Sequence, residues 1–306
     1  MSFAHKSALL LGCVVAPATF ASLVSWPGPL PLSFASLPAL ATTLAALVCV
    51  AVLVRPALAR VSFPAGVVFA TLVAALFALA QRAVWGDWPG IPWSWLGIFP
   101  RVDSGDYFNE ALGLLVDGTY ESLRGRPLHT AGIAALLRVT EFDFPRLGVL
   151  MSAMAAISTF CASVAVWRTH GLAAASVLAT VMYAFFHYFV GALMTEPSGF
   201  IYGGLAFAII WASATRDNAS WYIAGVAALT LALCVRVGPM FILGGVVLYA
   251  AFAWRGARIV NVRLAVACVF TTIVLLGAHS AYNRVLSPGS GGSFANAADS
   301  IYRLVV

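Results

Sequence analysis

Long, uninterrupted apolar runs alternate with short polar breaks along most of this chain. A helix needs about 20 apolar residues to cross ~30 Å of hydrocarbon. Runs near that length fall at 7–25, 36–54, 63–81, 146–166, 172–191, 198–215, 220–235, 238–254 and 264–282. The pattern predicts an all-α polytopic membrane protein with about nine transmembrane helices, the seventh and eighth joined by a tight hinge at Arg236-Val237-Gly238-Pro239. The runs are continuously apolar and do not alternate with period two, which argues against a transmembrane barrel. The first run reads as a span and not as a signal peptide, because its positive end is thin and no convincing cleavage site follows it.

Composition supports the same class. Hydrophobic residues make up 62% of the 306 residues and charged residues only 9%, too few charges to cover a water-soluble surface. Disorder is excluded by the same figures. The basic residues comprise sixteen Arg and one Lys, scattered without a run or a basic-aromatic stripe, so nucleic-acid binding has no footprint. Their positions orient the chain instead. With His5 and Lys6 in the cytoplasm, Arg55 and Arg60, Arg168, Arg216, and Arg255 with Arg258 and Arg263 all fall in inner loops, as the positive-inside rule requires. Residues 82–145, 192–197, the Arg236 hinge and the tail from 283 then lie outside. The expected segments are a three-helix stretch 1–81, an outer loop 82–145, a six-helix bundle 146–282, and a Gly/Ser-rich outer tail 283–306 that reads as cut short. Cys13, Cys49, Cys161, Cys234 and Cys268 all sit in apolar runs without metal-ligand spacing and read as small core hydrophobes.

Seven of the eleven acidic residues lie between 103 and 143 in the outer loop: Asp103, Asp106, Glu110, Asp117, Glu121, Glu141 and Asp143. On a helix over 103–117, Asp103, Asp106, Glu110 and Asp117 share an arc of roughly 60°, opposite Phe108, Ala111, Leu112, Leu115 and Val116. That predicts an amphipathic helix in the membrane interface with its carboxylates toward water or a cavity. Trp85, Trp88, Trp93 and Trp95, with Pro89, Pro92 and Pro100, form an aromatic lead-in suited to headgroup depth. The carboxylates can simply solvate one helix face. Partly desolvated, one can act as a general base, and Asp103 with Asp106 can hold a divalent cation, the only cofactor this chemistry invites.

Arg126 and His129 precede a short apolar run at 131–137 that cannot span and predicts a second interfacial or re-entrant helix. A lone loop histidine such as His129 reads first as a surface hydrogen-bonder. Glu196 is the only carboxylate between Asp143 and Asp217. Either it or Thr195 can cap a helix that has Pro197 at its first position, yet an ionisable group at the bundle edge also raises a functional suspicion. Arg236, inside an otherwise apolar region, asks for an anionic partner: Glu196, a loop aspartate or a phosphate. His187, beside Tyr183 and Tyr188, reads as a packing residue. Arg284 precedes the Gly/Ser tail, which carries no P-loop or dinucleotide-binding spacing.

The run Asp103-Ser104-Gly105-Asp106-Tyr107, continuing through Ala111, Leu114-Leu115, Gly118 and Tyr120 to Gly125-Arg126-Pro127-Leu128, resembles the first outer loop of GT-C glycosyltransferases. The nearest likeness is to the protein-mannosyltransferase and aminoarabinose-transferase group. Thr195-Glu196-Pro197 is similar to that family's acidic residue at the outer end of a later helix, and the likeness covers about 100–255. It implies a GT-C-like fold in the bacterial cytoplasmic membrane, with the active site on the extracytoplasmic side. It further implies transfer of a sugar from a polyprenyl-phosphate donor to a hydroxyl of a glycan, lipid or protein, with inversion. Asp103, on the family's catalytic acidic position, would be the base, with or without Asp106. Tyr107, Arg126, His129, Glu196, Arg236 and Arg284 would contact substrate, the last two arginines at the leaving phosphate. The competing readings are a non-catalytic transporter, flippase or assembly subunit for lipid-linked glycans, and an outer-facing polymerase or ligase using the same residues.

Overall fold

The computed structural model describes residues 3–25, 62–85, 94–95, 99–118, 126–236, 240–254 and 260–286. The expected span 36–54, hinge residues 237–239 and the Gly/Ser stretch from 287 lie outside them. In chain order the elements are α1 (Phe3–Val24), α2 (Ser62–Val84), β1 (Ser94–Trp95), β2 (Phe99–Pro100), α3 (Asp103–Val116), α4 (Pro127–Val139), α5 (Phe144–Tyr188), α6 (Thr195–Ala214), α7 (Ala219–Val235), α8 (Phe241–Phe252) and α9 (Val262–Leu286). The two strands form one small antiparallel pairing, Ser94 opposite Pro100 and Trp95 opposite Phe99. The other elements are helices, as continuous apolar runs require when backbone groups must be satisfied within each segment.

Among the described residues, four helices are long and apolar enough to cross a membrane: Ala65–Val84, Phe144–Tyr188, Thr195–Ala214 and Val262–Val285. Shorter apolar helices occupy Val14–Val24, Ala219–Val235 and Phe241–Phe252. These helices mark an all-α membrane protein. The 45-residue α5 covers two of the runs expected from sequence, and Gly171 divides it with φ 83° and ψ 174°, a conformation essentially reserved for glycine.

The chain forms two compact units, residues 1–101 with 143–192, and residues 102–142 with 193–306. In the first, α1 packs on α2 and α2 on both halves of α5. Phe69 meets Phe160 and Trp167 before the Gly171 break, while Phe77 meets Tyr183 edge-on at 5.3 Å and Phe186 after it. Buried Gln81 accepts a hydrogen bond from Ser152 Oγ (2.8 Å), and Gly148 leaves room for its amide, since a Cβ there would stand 3.0 Å from Gln81 Nε2. Asp143 caps α5 by accepting from the Arg146 amide.

In the second unit, α3 packs on α4, α6 on α7, and α9 on α7 and α8. Its apolar core gathers Tyr222, Val226, Ala250, Trp254, Leu264 and Cys268. Tyr222, fully buried, discharges its hydroxyl onto the Val246 carbonyl at 2.8 Å, as a phenol excluded from water must. Helices α6 and α7 touch so closely at Gly225 that a Cβ would lie 2.7 Å from Ile210 Cγ1 and 3.0 Å from the Ile210 amide nitrogen. Cys234 and Cys268 are buried, free thiols, as their apolar context predicts.

Candidate functional site

Every residue expected to touch substrate lies in the second unit. Helix α3 begins with Asp103, and Asp106 completes its first turn, where the unpaired amides of a helix N-terminus favour negative charge. No side chain caps this end. Val102 holds the cap position at φ 52° and ψ −135°, a strained backbone for a β-branched residue. Its carbonyl instead accepts from the amides of Gly105 (2.9 Å) and Asp106 (3.3 Å).

The helix is amphipathic, but its inward face is not the one the apolar pattern indicated. Ser104, Tyr107, Glu110 and Ala111 are buried, whereas Phe108, Leu112 and Leu115 are only half-buried and Val116 is exposed. This buried stripe lies between the acidic arc and the apolar arc and overlaps the acidic one. Glu110 is therefore corrected from a water-facing carboxylate to a buried one, which accepts from Thr130 Oγ1 at 2.9 Å. Helical spacing placed the four acids on one side; packing against α4 decided which edge of that side turned inward.

Helix α4 starts with Pro127 directly after Arg126, proline suiting a position whose amide has no helical partner. The surface reading of His129 is overturned. The residue is 2% exposed, and its Nε2 lies 3.0 Å from the Leu193 carbonyl oxygen. A carbonyl can only accept, so Nε2 carries the proton. The imidazole stands edge-on to Tyr107, with ring centroids 4.5 Å apart. Its Nδ1, a lone-pair acceptor in this tautomer, is buried without a hydrogen-bond partner among the described residues. Desolvation lowers the pKa to about 4, against the opposing pull of the Leu193 hydrogen bond and of Glu196, while Arg126 adds to the lowering. His129 is thus neutral near pH 7.

Leu193 is itself buried, and Ser104 Oγ accepts its amide proton at 3.0 Å. Three residues on, Glu196 forms an ion pair with Arg236 and also accepts from Thr195 Oγ1 at 3.2 Å. The capping expectation is corrected here: Met194 takes the cap position with no side-chain hydrogen bond, and Thr195 is the first helical residue, so Pro197 is the third. Glu196 is engaged with an arginine instead. The Arg236 stem lies over Gly199, where a Cβ would meet Arg236 Cβ at 3.2 Å. The Glu196 side chain is 16% exposed and that of Arg236 42%. The acid is committed to the pair, while the Arg236 side chain keeps open surface.

Ser104, Leu193 and His129 therefore join the first turn of α3 to the start of α6, with Tyr107 against the histidine and the Glu196–Arg236 pair a turn away. Arg126 acts electrostatically on both His129 and His279. Arg284, near the end of α9, is exposed, and among the described residues no hydrogen bond or ion pair joins it to this group. His187 belongs to the first unit, buried against Tyr183, which suits the packing role expected of it. Among the described residues, no three His, Cys, Asp or Glu side chains converge to hold a metal ion. No family model, curated protein or solved structure matches the chain.

Proposed function

We propose that this protein is a membrane glycosyltransferase that moves a sugar from a polyprenyl-phosphate donor to an acceptor hydroxyl on the outer face of a bacterial cytoplasmic membrane. The observation that carries the reading is the join at Leu193, which ties a turn bearing two carboxylates to a carboxylate–guanidinium pair whose arginine keeps open surface. A lipid-linked donor suits a site carried by membrane helices. About nine spans with the N-terminus inside would place it on the outer side.

The acceptor hydroxyl attacks the anomeric carbon and passes its proton to Asp103, with Asp106 beside it as a second acceptor. The bond from the anomeric carbon to the phosphate oxygen breaks, its electron pair leaves with the phosphate, and the configuration inverts. Arg236 receives the developing charge through charge-assisted hydrogen bonds. Glu196 holds one side of that guanidinium, so that its open side faces the leaving group. Arg126 and Tyr107 border the same place. A positioned base contributes ~10²–10⁴-fold in rate. Asp103→Asn protein in proteoliposomes supplied with polyprenyl-phosphate sugars should lose transfer by that factor while accumulating normally. Transfer at the wild-type rate would sink the assignment.

A further inference from the structure

We infer that Ser104 and His129 are positioning residues: from α3 and α4 they hold the amide and the carbonyl of Leu193 and so set where Glu196 and Arg236 stand relative to Asp103. Leu193 and Met194 precede α6, with Met194 extended (φ −90°, ψ 168°), so no helical ladder serves the Leu193 amide and carbonyl. Both groups are inside the protein and need partners. Two side chains from other helices supply them, Ser104 Oγ accepting at 3.0 Å and His129 Nε2 donating at 3.0 Å.

The consequence is geometric. Ser104 is the next residue after Asp103, so its bond fixes the acidic turn against Leu193. Glu196 lies three residues beyond and fixes Arg236, whose stem has its groove at Gly199. His129 performs its part only as the Nε2-protonated tautomer, and the Tyr107 ring at 4.5 Å holds its plane. Neither Ser104 nor His129 needs to touch a reacting atom. They act through the pair, and this inference rests on the transferase reading for its catalytic part alone.

Two readouts test the grip without activity. In Ser104→Ala and His129→Leu protein, amide exchange at Leu193 should rise about tenfold, the effect of one lost hydrogen bond. Reaction of Arg236 with phenylglyoxal, followed by mass spectrometry, should also quicken as the pair loosens. Unchanged exchange and unchanged Arg236 reactivity would overturn the inference. If Ser104→Ala fails to accumulate, Ser104→Cys, which keeps a weak acceptor, takes its place and should show a smaller rise.

A third readout concerns transfer. Each substitution should lower kcat about tenfold with the donor KM little changed, the pattern of an interaction felt in the transition state. His129→Gln, which restores an amide donor near Nε2, should recover most of the loss. In a Glu196→Gln background neither substitution should cost more, because the pair they serve is already broken. Losses that multiply in that background would mark a merely structural role and overturn the inference. Wild-type protein without transfer would instead sink the transferase reading, and the exchange and labelling results would still decide the grip.

Discussion

His129 carries a clear pH signature. Its pKa falls from 6.5 to about 4 on burial, so between those values the unfolded chain binds a proton that the folded one refuses. Stability is then complete above about pH 6.5, declines as the pH drops toward 4, and loses nothing further from this group below that. A shift of this size corresponds to about 3 kcal/mol. Glu196 and Arg126 act on the ring in opposite senses, and desolvation outweighs both. The thermal midpoint of detergent-solubilised protein should fall between pH 7 and pH 4, and His129→Gln should flatten that slope. Val102 gives a second expectation. Its positive φ directly before Asp103 stores about 1–3 kcal/mol of backbone strain, so Val102→Gly should raise the midpoint. If the strain serves to aim Asp103, transfer falls in the same protein; equal activity would show the strain to be incidental.

Helices meet in this protein where small residues let them, and the glycines make that testable. Gly225 allows α6 and α7 to touch at Ile210. Because a Cβ at 2.7 Å has no room, Gly225→Ala should cost about 1–3 kcal/mol through overpacking, read as a lower thermal midpoint. Gly199 is a milder case: its missing Cβ would meet Arg236 Cβ at 3.2 Å and Cδ at 3.5 Å, so an added methyl asks the Arg236 segment to give by a small amount. Gly199→Ala should therefore lower the midpoint less than Gly225→Ala does while shifting Arg236 off Glu196 and lowering transfer. A midpoint loss as large as that of Gly225→Ala would contradict this. At Gly171 the backbone itself is the constraint: with φ 83°, alanine is strained whatever the space, so Gly171→Ala should destabilise the first unit.

For the molecule as a whole, the arginines of the short loops predict a sidedness that labelling can check. Asp117, exposed just past α3, should react from outside intact cells when replaced by cysteine, and Arg216, exposed between α6 and α7, should react only after permeabilisation when replaced likewise. The reverse pattern would turn the protein over and remove the outer site from the transferase reading. The long, exposed apolar surface of α9, with Val266, Phe270, Ile273 and Val274 open, is what a lipid-facing helix presents. In hydrocarbon such side chains need no partner.

Helix positions were legible in the chain because hydrocarbon thickness and backbone hydrogen bonding leave few alternatives for a long apolar run. The two short helices were legible too, α3 from its period of 3.6 and α4 from a run too short to span. Pairing of Arg236 with Glu196 could be anticipated because a guanidinium in apolar surroundings needs an anion and few are present. Other features depended on which side of a helix met a neighbour. Periodicity grouped the α3 acids, but contact with α4 buried Glu110 on Thr130 and left the apolar arc half-open. His129 looked like a loop residue because nothing local shows that Leu193, sixty-four positions later, would offer it a carbonyl. Ser104 had no signal beyond its place after Asp103. Local pattern encodes what each segment must satisfy within itself, whereas the grip on Leu193 joins donors and acceptors from three separate segments and exists only once they have packed.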